Sequence, residues 1–206
     1  PKLISTASES GAEVFEVKYF NRKAYLAQSP QFYKQMAMAA GFEKVFEVGP
    51  VFRAEPSFTS RHATEFTGYD IEISYIESHE EVMAEEEKLI KFAIQRVKEK
   101  FDDQIKQVFD REVVVPALPF PKLSIKDAKR ALAEMAVVGE KDGDLSSEEE
   151  RKIGEYVREK FGHEFVFITE YPAKDRAFYH MRNENDNALT KGFDLIWNGL
   201  EVTTGA

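Results

Sequence analysis

Residues 46–72, FEVGPVFRAEPSFTSRHATEFTGYDIE, constrain this chain more than any other stretch. Two apolar-rich runs of strand length flank a charged loop, so the pattern predicts a strand, a loop and a returning strand over 44–55 and 64–75. An antiparallel pairing follows from so short a connection. Arg53 and Glu55 end the first strand, Arg61 and His62 sit in the loop, and Glu65 and Phe66 open the second strand. Side chains two apart on a strand share a face, which aligns Arg53 with Glu55, and Phe66 with Gly68, Asp70 and Glu72. The arginine fork suits phosphate oxygens. Glu55 can accept from an adenine amino group or hold another arginine, and Arg61 and His62 are placed to reach outer phosphates. Phe66 can stack a base, with Gly68 leaving room for it. Any one of these residues alone is an ordinary charge on a surface hairpin. In this order they predict a nucleoside triphosphate site built without a glycine-rich loop.

Composition narrows the class. The 206 residues suffice for one large domain with a sizeable core. Hydrophobic content of 43% and charged content of 32% are those of a globular protein. No run approaches the roughly 18 apolar residues of a membrane span, and no signal peptide is expected. Cysteine is absent, which excludes disulfides and thiolate zinc sites and favours a cytoplasmic setting. A net charge of −9, from 28 basic and 37 acidic residues, argues against a broad nucleic-acid docking surface. RNA contact is expected to be local or to lie on another domain.

Other elements follow from periodicity and caps. Strands are predicted at 14–20 and 24–27, with Asn21, Arg22 and Lys23 as the turn. Ser29 caps a helix with Pro30 at its first position, ended by Gly41. A long amphipathic helix is expected over 80–101. The character changes over 102–162, where Pro116, Pro119 and Pro121 precede helices at 124–136, capped by Ser124, and from Ser146 or Ser147 to residue 161. Strands return at 165–169, 193–197 and 200–204, the last two joined by Asn198-Gly199, a strong hairpin signal. Tyr75 and Trp197 are expected in the core. His79, His163 and His180 lack ligand-like spacing and read as surface or packing residues.

Two further clusters carry chemistry. Gln31 and Lys34 are three apart near a helix N-terminus, where an amide, an ammonium and a positive dipole end favour a carboxylate; a solvated lysine is the plainer account. Glu9 lies in a loop of small residues, of the kind that closes over a ligand, though an ordinary surface loop explains it equally well. Asp194 and Glu201 flank the Asn-Gly turn. A regular two-residue hairpin places Asp194, Glu201 and Thr203 on one face and Thr204 on the other, so Thr204 joins them only if a bulge breaks the alternation. The plainer alternative is a buried acidic pair satisfied by hydrogen bonds. Phe178-Tyr179 precedes this hairpin as wall or core.

The quoted stretches resemble class II aminoacyl-tRNA synthetases, with the aspartyl branch the best fit. Phe52, Arg53, Ala54, Glu55, Arg61, His62, Glu65 and Phe66 match that family's motif 2. Gln28-Ser29-Pro30-Gln31 followed by Phe32, Tyr33 and Lys34 is similar to its amino-acid pocket, and 193–205 to its FDL strand and GxE hairpin. The resemblance implies an α+β fold, the class II synthetase core with an antiparallel sheet flanked by helices. It implies ATP-dependent activation of L-aspartate and transfer to the tRNA acceptor end. Arg53 would hold the α-phosphate as the catalytic arginine, and Phe66 would stack on adenine. Glu55, Arg61 and His62 would help seat ATP and the tRNA end. Lys34 would pair with the aspartate side chain, Gln31 would hold its amino-acid end and Glu9 would reach its ammonium. Glu201 and Thr204 would bind Mg²⁺ bridging the phosphates of ATP, while Asp194 supports that site and the aspartate pocket.

The same resemblance implies catalytic core over 1–101 and 163–206, with an insertion at 102–162. Pro1 to Ile4 is similar to the end of motif 1, through which the family forms homodimers. Motif 3 and an anticodon-binding barrel are not in the sequence, so a piece of a longer protein is expected. Asparaginyl-tRNA synthetase, an asparagine-forming ligase derived from a synthetase, and a non-catalytic paralogue are the rival readings.

Overall fold

A computed structural model of the chain describes residues 1–8, 13–54, 63–139, 141–176 and 180–206. It divides into two compact units, Pro1–Ile76 and Glu77–Ala206.

In the first unit, β1 (Leu3–Ile4), β2 (Glu16–Tyr19) and β3 (Arg22–Leu26) form an antiparallel sheet in the order β1-β3-β2. Tyr19 pairs with Arg22, so the turn is Phe20-Asn21 and not the Asn21–Lys23 segment expected from sequence. Phe20 takes the left-handed conformation there, with φ of 52°. Helix α1 (Gln31–Ala39) follows. Pro30, not Ser29, occupies its cap position, and Ser29 Oγ instead accepts from the Gln31 N–H at 3.3 Å. Gly41 ends the helix at φ of 95°, a conformation that suits glycine. Strands β4 (Lys44–Phe52) and β5 (Glu65–Ile73) then pair antiparallel along their whole length, from Lys44 opposite Ile73 to Phe52 opposite Glu65.

In the second unit, α2 (His79–Phe109) opens on a complete capping box from Ser78 and Glu81. It runs past the expected end at 101, because Ile105, Val108 and Phe109 continue the apolar spacing. Strand β6 (Lys122–Ser124), absent from the sequence reading, leads into α3 (Ile125–Glu134), whose first turn Ser124 caps through the Asp127 N–H. Helix α4 (Ser147–Phe161) is capped by Ser146. Strands β7 (Phe165–Thr169), β8 (Phe193–Trp197) and β9 (Leu200–Gly205) complete a sheet in the order β6-β7-β8-β9. β6 is parallel to β7; the other pairs are antiparallel.

This sheet is buried on both sides, so its central strands read as continuous apolar runs. Phe165 and Phe167 of β7 join Phe193, Leu195, Phe120 and Met83 of α2 in one core. Val166 and Ile168 join Ile196 and the apolar faces of α3 and α4 in the other. Two expected core residues lie outside both: Tyr75 is 83% exposed and Trp197 40% exposed. Trp197 stands at the hairpin end, where its ring stacks on Phe165 at 5.1 Å and its Nε1 donates to Glu164. His79 and His163 pack against Phe193 and Phe120, as expected of packing residues.

Candidate active site

The β4–β5 ladder builds the larger group of expected site residues. Because Val51 pairs with Phe66, Gly49 with Gly68, Glu47 with Asp70 and Val45 with Glu72, these eight side-chain positions share one face. Arg53 continues that face beyond Val51, and its N–H donates to Thr64 O at 3.0 Å. The guanidinium lies 5.4 Å from the Phe66 ring centroid, a cation–π contact that holds charge beside an aromatic plate. Next along the ladder, Gly49 and Gly68 face each other, and the Lys2 side chain, paired with Glu47, lies over Gly49, 3.3 Å from where its Cβ would stand.

The other end of this face is strongly charged. Lys34 of α1, with a side chain only 13% exposed, directs its ammonium to Asp70 at 3.0 Å and Glu72 at 3.4 Å. Lys34 is therefore paired with the protein's own carboxylates, where the sequence reading gave it a substrate carboxylate alone. Two carboxylates against one ammonium leave this pole with surplus negative charge. Asp70 and Glu72 are what the sequence reading missed as pocket residues. Their position on the Phe66 face was visible, but not their distance from a helix more than thirty residues earlier, on the order of a whole element pair away. Gln31 lies one turn before Lys34. At the start of α1, fully buried Gln28 accepts from the Ser8 N–H at 3.2 Å, and Ser8 Oγ donates to Ser29 O at 3.3 Å. That anchors the residue preceding Glu9 beside the helix N-terminus. Glu9, Glu55, Arg61, His62, Phe178 and Tyr179 themselves lie outside the described residues.

The β8–β9 hairpin carries the remaining candidates in the second unit. Asn198 and Gly199 form its turn at φ of 50° and 82°, the doubly left-handed geometry that Asn-Gly favours. Trp197 pairs with Leu200 and Ile196 with Glu201, but Leu195 pairs with Thr203 and Asp194 with Thr204. Val202 is thus the extra residue of a bulge. The bulge restores Thr204 to the face of Asp194, Ile196 and Glu201, and turns Thr203 to the opposite face, where it hydrogen-bonds Glu86 of α2. Burial pushes the Glu86 carboxyl up to about 7, against the lowering effect of the Thr203 bond.

Asp194 is engaged. Its carboxylate, 6% exposed, accepts from Arg176 Nη2 at 2.5 Å. The Arg176 guanidinium lies 3.7 Å over the Tyr171 ring. Burial, and then the charge of Asp194, drive the Tyr171 phenol far above its ordinary range, so it stays protonated. The sequence reading missed Arg176, whose partner is eighteen residues away across an irregular segment. Among the described residues no group of three or more His, Cys, Asp or Glu could hold a metal by itself. Glu201 and Thr204 offer one carboxylate and one hydroxyl on a common face. That donor set fits Mg²⁺, which takes one or two carboxylates and completes its shell with phosphate oxygens and water.

A two-stranded platform bearing arginine, phenylalanine and a charged pole, with a separate bulged acidic hairpin, has a counterpart among known proteins. The chain belongs to the class II tRNA synthetases: the family described as tRNA synthetases class II (D, K and N) matches residues 1–206. The Aspartate--tRNA(Asp/Asn) ligase of Aeropyrum pernix is 46% identical over 207 residues, covering 100% of this chain and 47% of that protein. The solved aspartyl-tRNA synthetase of Entamoeba histolytica is 39% identical with a TM-score of 0.81, over 88% of this chain and 38% of that one. The asparaginyl-tRNA synthetase of Pyrococcus horikoshii, solved with asparaginyl-adenylate, superposes with a TM-score of 0.85 at 33% identity, over 98% of this chain and 45% of that one. Backbone shape is therefore common to solved proteins named for either amino acid. The chain spans about half the length of the curated relatives it matches. The α+β class II fold expected from sequence is the one observed.

Proposed function

We propose that the protein carrying this chain activates L-aspartate with ATP and transfers it to tRNA as an aspartate--tRNA ligase. The observation that carries the reading is the single face of the β4–β5 ladder. It sets Arg53 and Phe66 at one end, Lys34, Asp70 and Glu72 at the other, and the Gly49–Gly68 pair between. From Phe66 to Asp70 is about 14 Å at strand rise, a span suited to an aminoacyl-adenylate. Adenine stacks on Phe66, the α-phosphate meets Arg53, and the amino acid lies at the charged pole. There the surplus negative charge of Asp70 and Glu72 attracts the α-ammonium, and Lys34 meets the side-chain carboxylate; Gln31 would hold the amino-acid end, a role the family resemblance also gives to Glu9. Glu55, Arg61 and His62 contribute to the nucleotide and the tRNA acceptor end.

The first step needs no general base, because the α-carboxyl group, with an ordinary pKa of about 3.5, is already ionised. One carboxylate oxygen bonds to the α-phosphorus of ATP, the bond to the bridging oxygen breaks, and pyrophosphate leaves. Arg53 neutralises the charge that grows on the α-phosphate oxygens, and the platform supplies alignment. Glu201 and Thr204 would hold Mg²⁺, which when bound neutralises the phosphates. Asp194, locked to Arg176, serves as an anchor of that strand. The ribose hydroxyl at the tRNA end then takes the acyl group and AMP leaves.

Lys34, held in place by Asp70 and Glu72, would favour aspartate over asparagine because a charge-assisted bond to a carboxylate is stronger than one to a neutral amide. Homodimerisation through the segment around Pro1 to Ile4 and a cytoplasmic location complete the proposal. Among the described residues no helix is long and apolar enough to cross a membrane. ATP–pyrophosphate exchange on the full-length protein tests the activity. Exchange with aspartate and not asparagine supports it; exchange with asparagine alone moves the assignment to that amino acid, and exchange with neither contradicts it.

A further inference from the structure

Helix α4 lies in the segment to which the sequence reading gave no role, yet it meets the β8–β9 hairpin backbone to backbone. A Cβ on Gly154 would stand 2.6 Å from the Gly199 nitrogen, and one on Gly199 would stand 2.6 Å from the Arg151 Cα. Glycine is the weakest ordinary helix former after proline, so its place in the interior of α4 is explained by this contact. On either side of Gly154 along the helix, polar groups extend the same seam. Arg158 Nη1 donates to Asn198 Oδ1 at 3.2 Å. Glu150, 4% exposed, accepts at Oε2 from the backbone N–H of Glu201 at 3.4 Å. Glu150, Gly154 and Arg158 are four apart, hence on one stripe of the helix. That stripe grips the turn and the residue immediately before the bulge.

We propose that α4 is a positioning element for Glu201, with Glu150 its positioning residue. A bulged hairpin at a sheet edge has freedom to twist. Closing Gly154 onto Gly199 fixes the turn, and the Glu150 bond fixes the peptide from which the Glu201 side chain departs. The inference rests on the reading of Glu201 as a ligand of nucleotide-bound metal. It assigns the insertion a function in that site: setting where the carboxylate stands when phosphate and ion arrive. Groups that orient a ligand in this way matter for metal affinity by about 10- to 100-fold.

The test uses the full-length protein with a non-hydrolysable ATP analogue, Mn²⁺ as the probe ion read by electron paramagnetic resonance, and thermal melts in parallel. Glu150→Ala is expected to weaken Mn²⁺ binding about tenfold, whereas Glu150→Gln, which keeps an acceptor oxygen, retains most of it. Gly154→Ala is expected to weaken it similarly by displacing the turn. Aspartate affinity should not move in any of the three. If Glu150→Ala lowers the melting temperature while Mn²⁺ affinity stays within about twofold of the parent, α4 is a structural support only and the inference is overturned. Should Gly154→Ala fail to fold, the Glu150 pair still decides. Glu201→Gln separates the two levels: if it leaves Mn²⁺ binding intact, the ligand reading itself fails. If it abolishes binding and the Glu150 variants do not weaken it, only the positioning role fails.

Discussion

Asp194 stands directly opposite Thr204 across β8 and β9. Without the extra residue at Val202 its partner would be Thr203, and the two threonines would exchange faces. This one-residue shift divides their roles: Thr204 shares the face of Glu201, and Thr203 meets Glu86 of α2. Thr204→Val is therefore expected to raise the KM for Mg·ATP about tenfold, while Thr203→Val leaves it near the parent value and changes stability instead. Pyrophosphate-exchange kinetics on both variants, with thermal melts, check the division; equal effects on KM would contradict the register.

Glu86 makes stability depend on pH in a predictable direction. Burial raises its carboxyl from 4.5 to about 7 in the folded chain. Between those values the folded state holds a proton that the unfolded state has released. Its stabilising contribution is therefore complete below about 4.5 and is lost as pH rises through about 7. The full effect is at most about 3 kcal/mol. Glu86→Gln should flatten this part of the stability–pH profile and gain relative to the parent at pH above about 7. Urea titrations at several pH values measure it, and an unchanged slope would place the proton elsewhere.

Arg176 and Asp194 form a buried ion pair whose members are not equivalent to remove. Arg176→Ala leaves a carboxylate that is 6% exposed without its cation, at an expected cost of about 3 kcal/mol. Asp194→Asn frees an arginine that still stacks on Tyr171, and should cost about 1 kcal/mol. Denaturant unfolding of both variants tests the order; a smaller loss for Arg176→Ala would mean that the pair does not anchor β8.

Local chemistry made much of this legible in the sequence. The Asn198-Gly199 turn, the Ser124 and Ser146 caps and the Gly41 stop each depend on a few adjacent residues, and each stands where expected. Phe66, Gly68, Asp70 and Glu72 share a face because strand alternation alone puts them there, whereas Arg53 joins that face through the β4–β5 register. Partnership across distance was not legible. Lys34 meets Asp70 and Glu72 only once α1 packs beside β5, and Arg176 reaches Asp194 across an irregular segment. The Val202 bulge was posed as a condition on Thr204 but had no sequence mark of its own. Helix α2 outran its expected end at 101 because the change of character expected from 102 begins only after the helix, whose apolar spacing continues through Phe109. Trp197 and Tyr75 misled for a simpler reason: large aromatic rings are usually buried, and these two stand at element ends.

In the proposed mechanism one strand pair holds both poles of the reaction intermediate, Arg53 at the nucleotide end and Lys34 at the amino-acid end. Calorimetric binding of a non-hydrolysable aspartyl-adenylate analogue to the full-length protein tests it most directly, using the parent, Arg53→Ala, Lys34→Ala and the double variant. Each single change should weaken binding by at least about tenfold. Because the two poles are about 14 Å or more apart, the losses should add in the double variant. Parent-like affinity in either single variant would contradict the placement of that pole, and parent-like affinity in the double variant would remove the site from this ladder altogether.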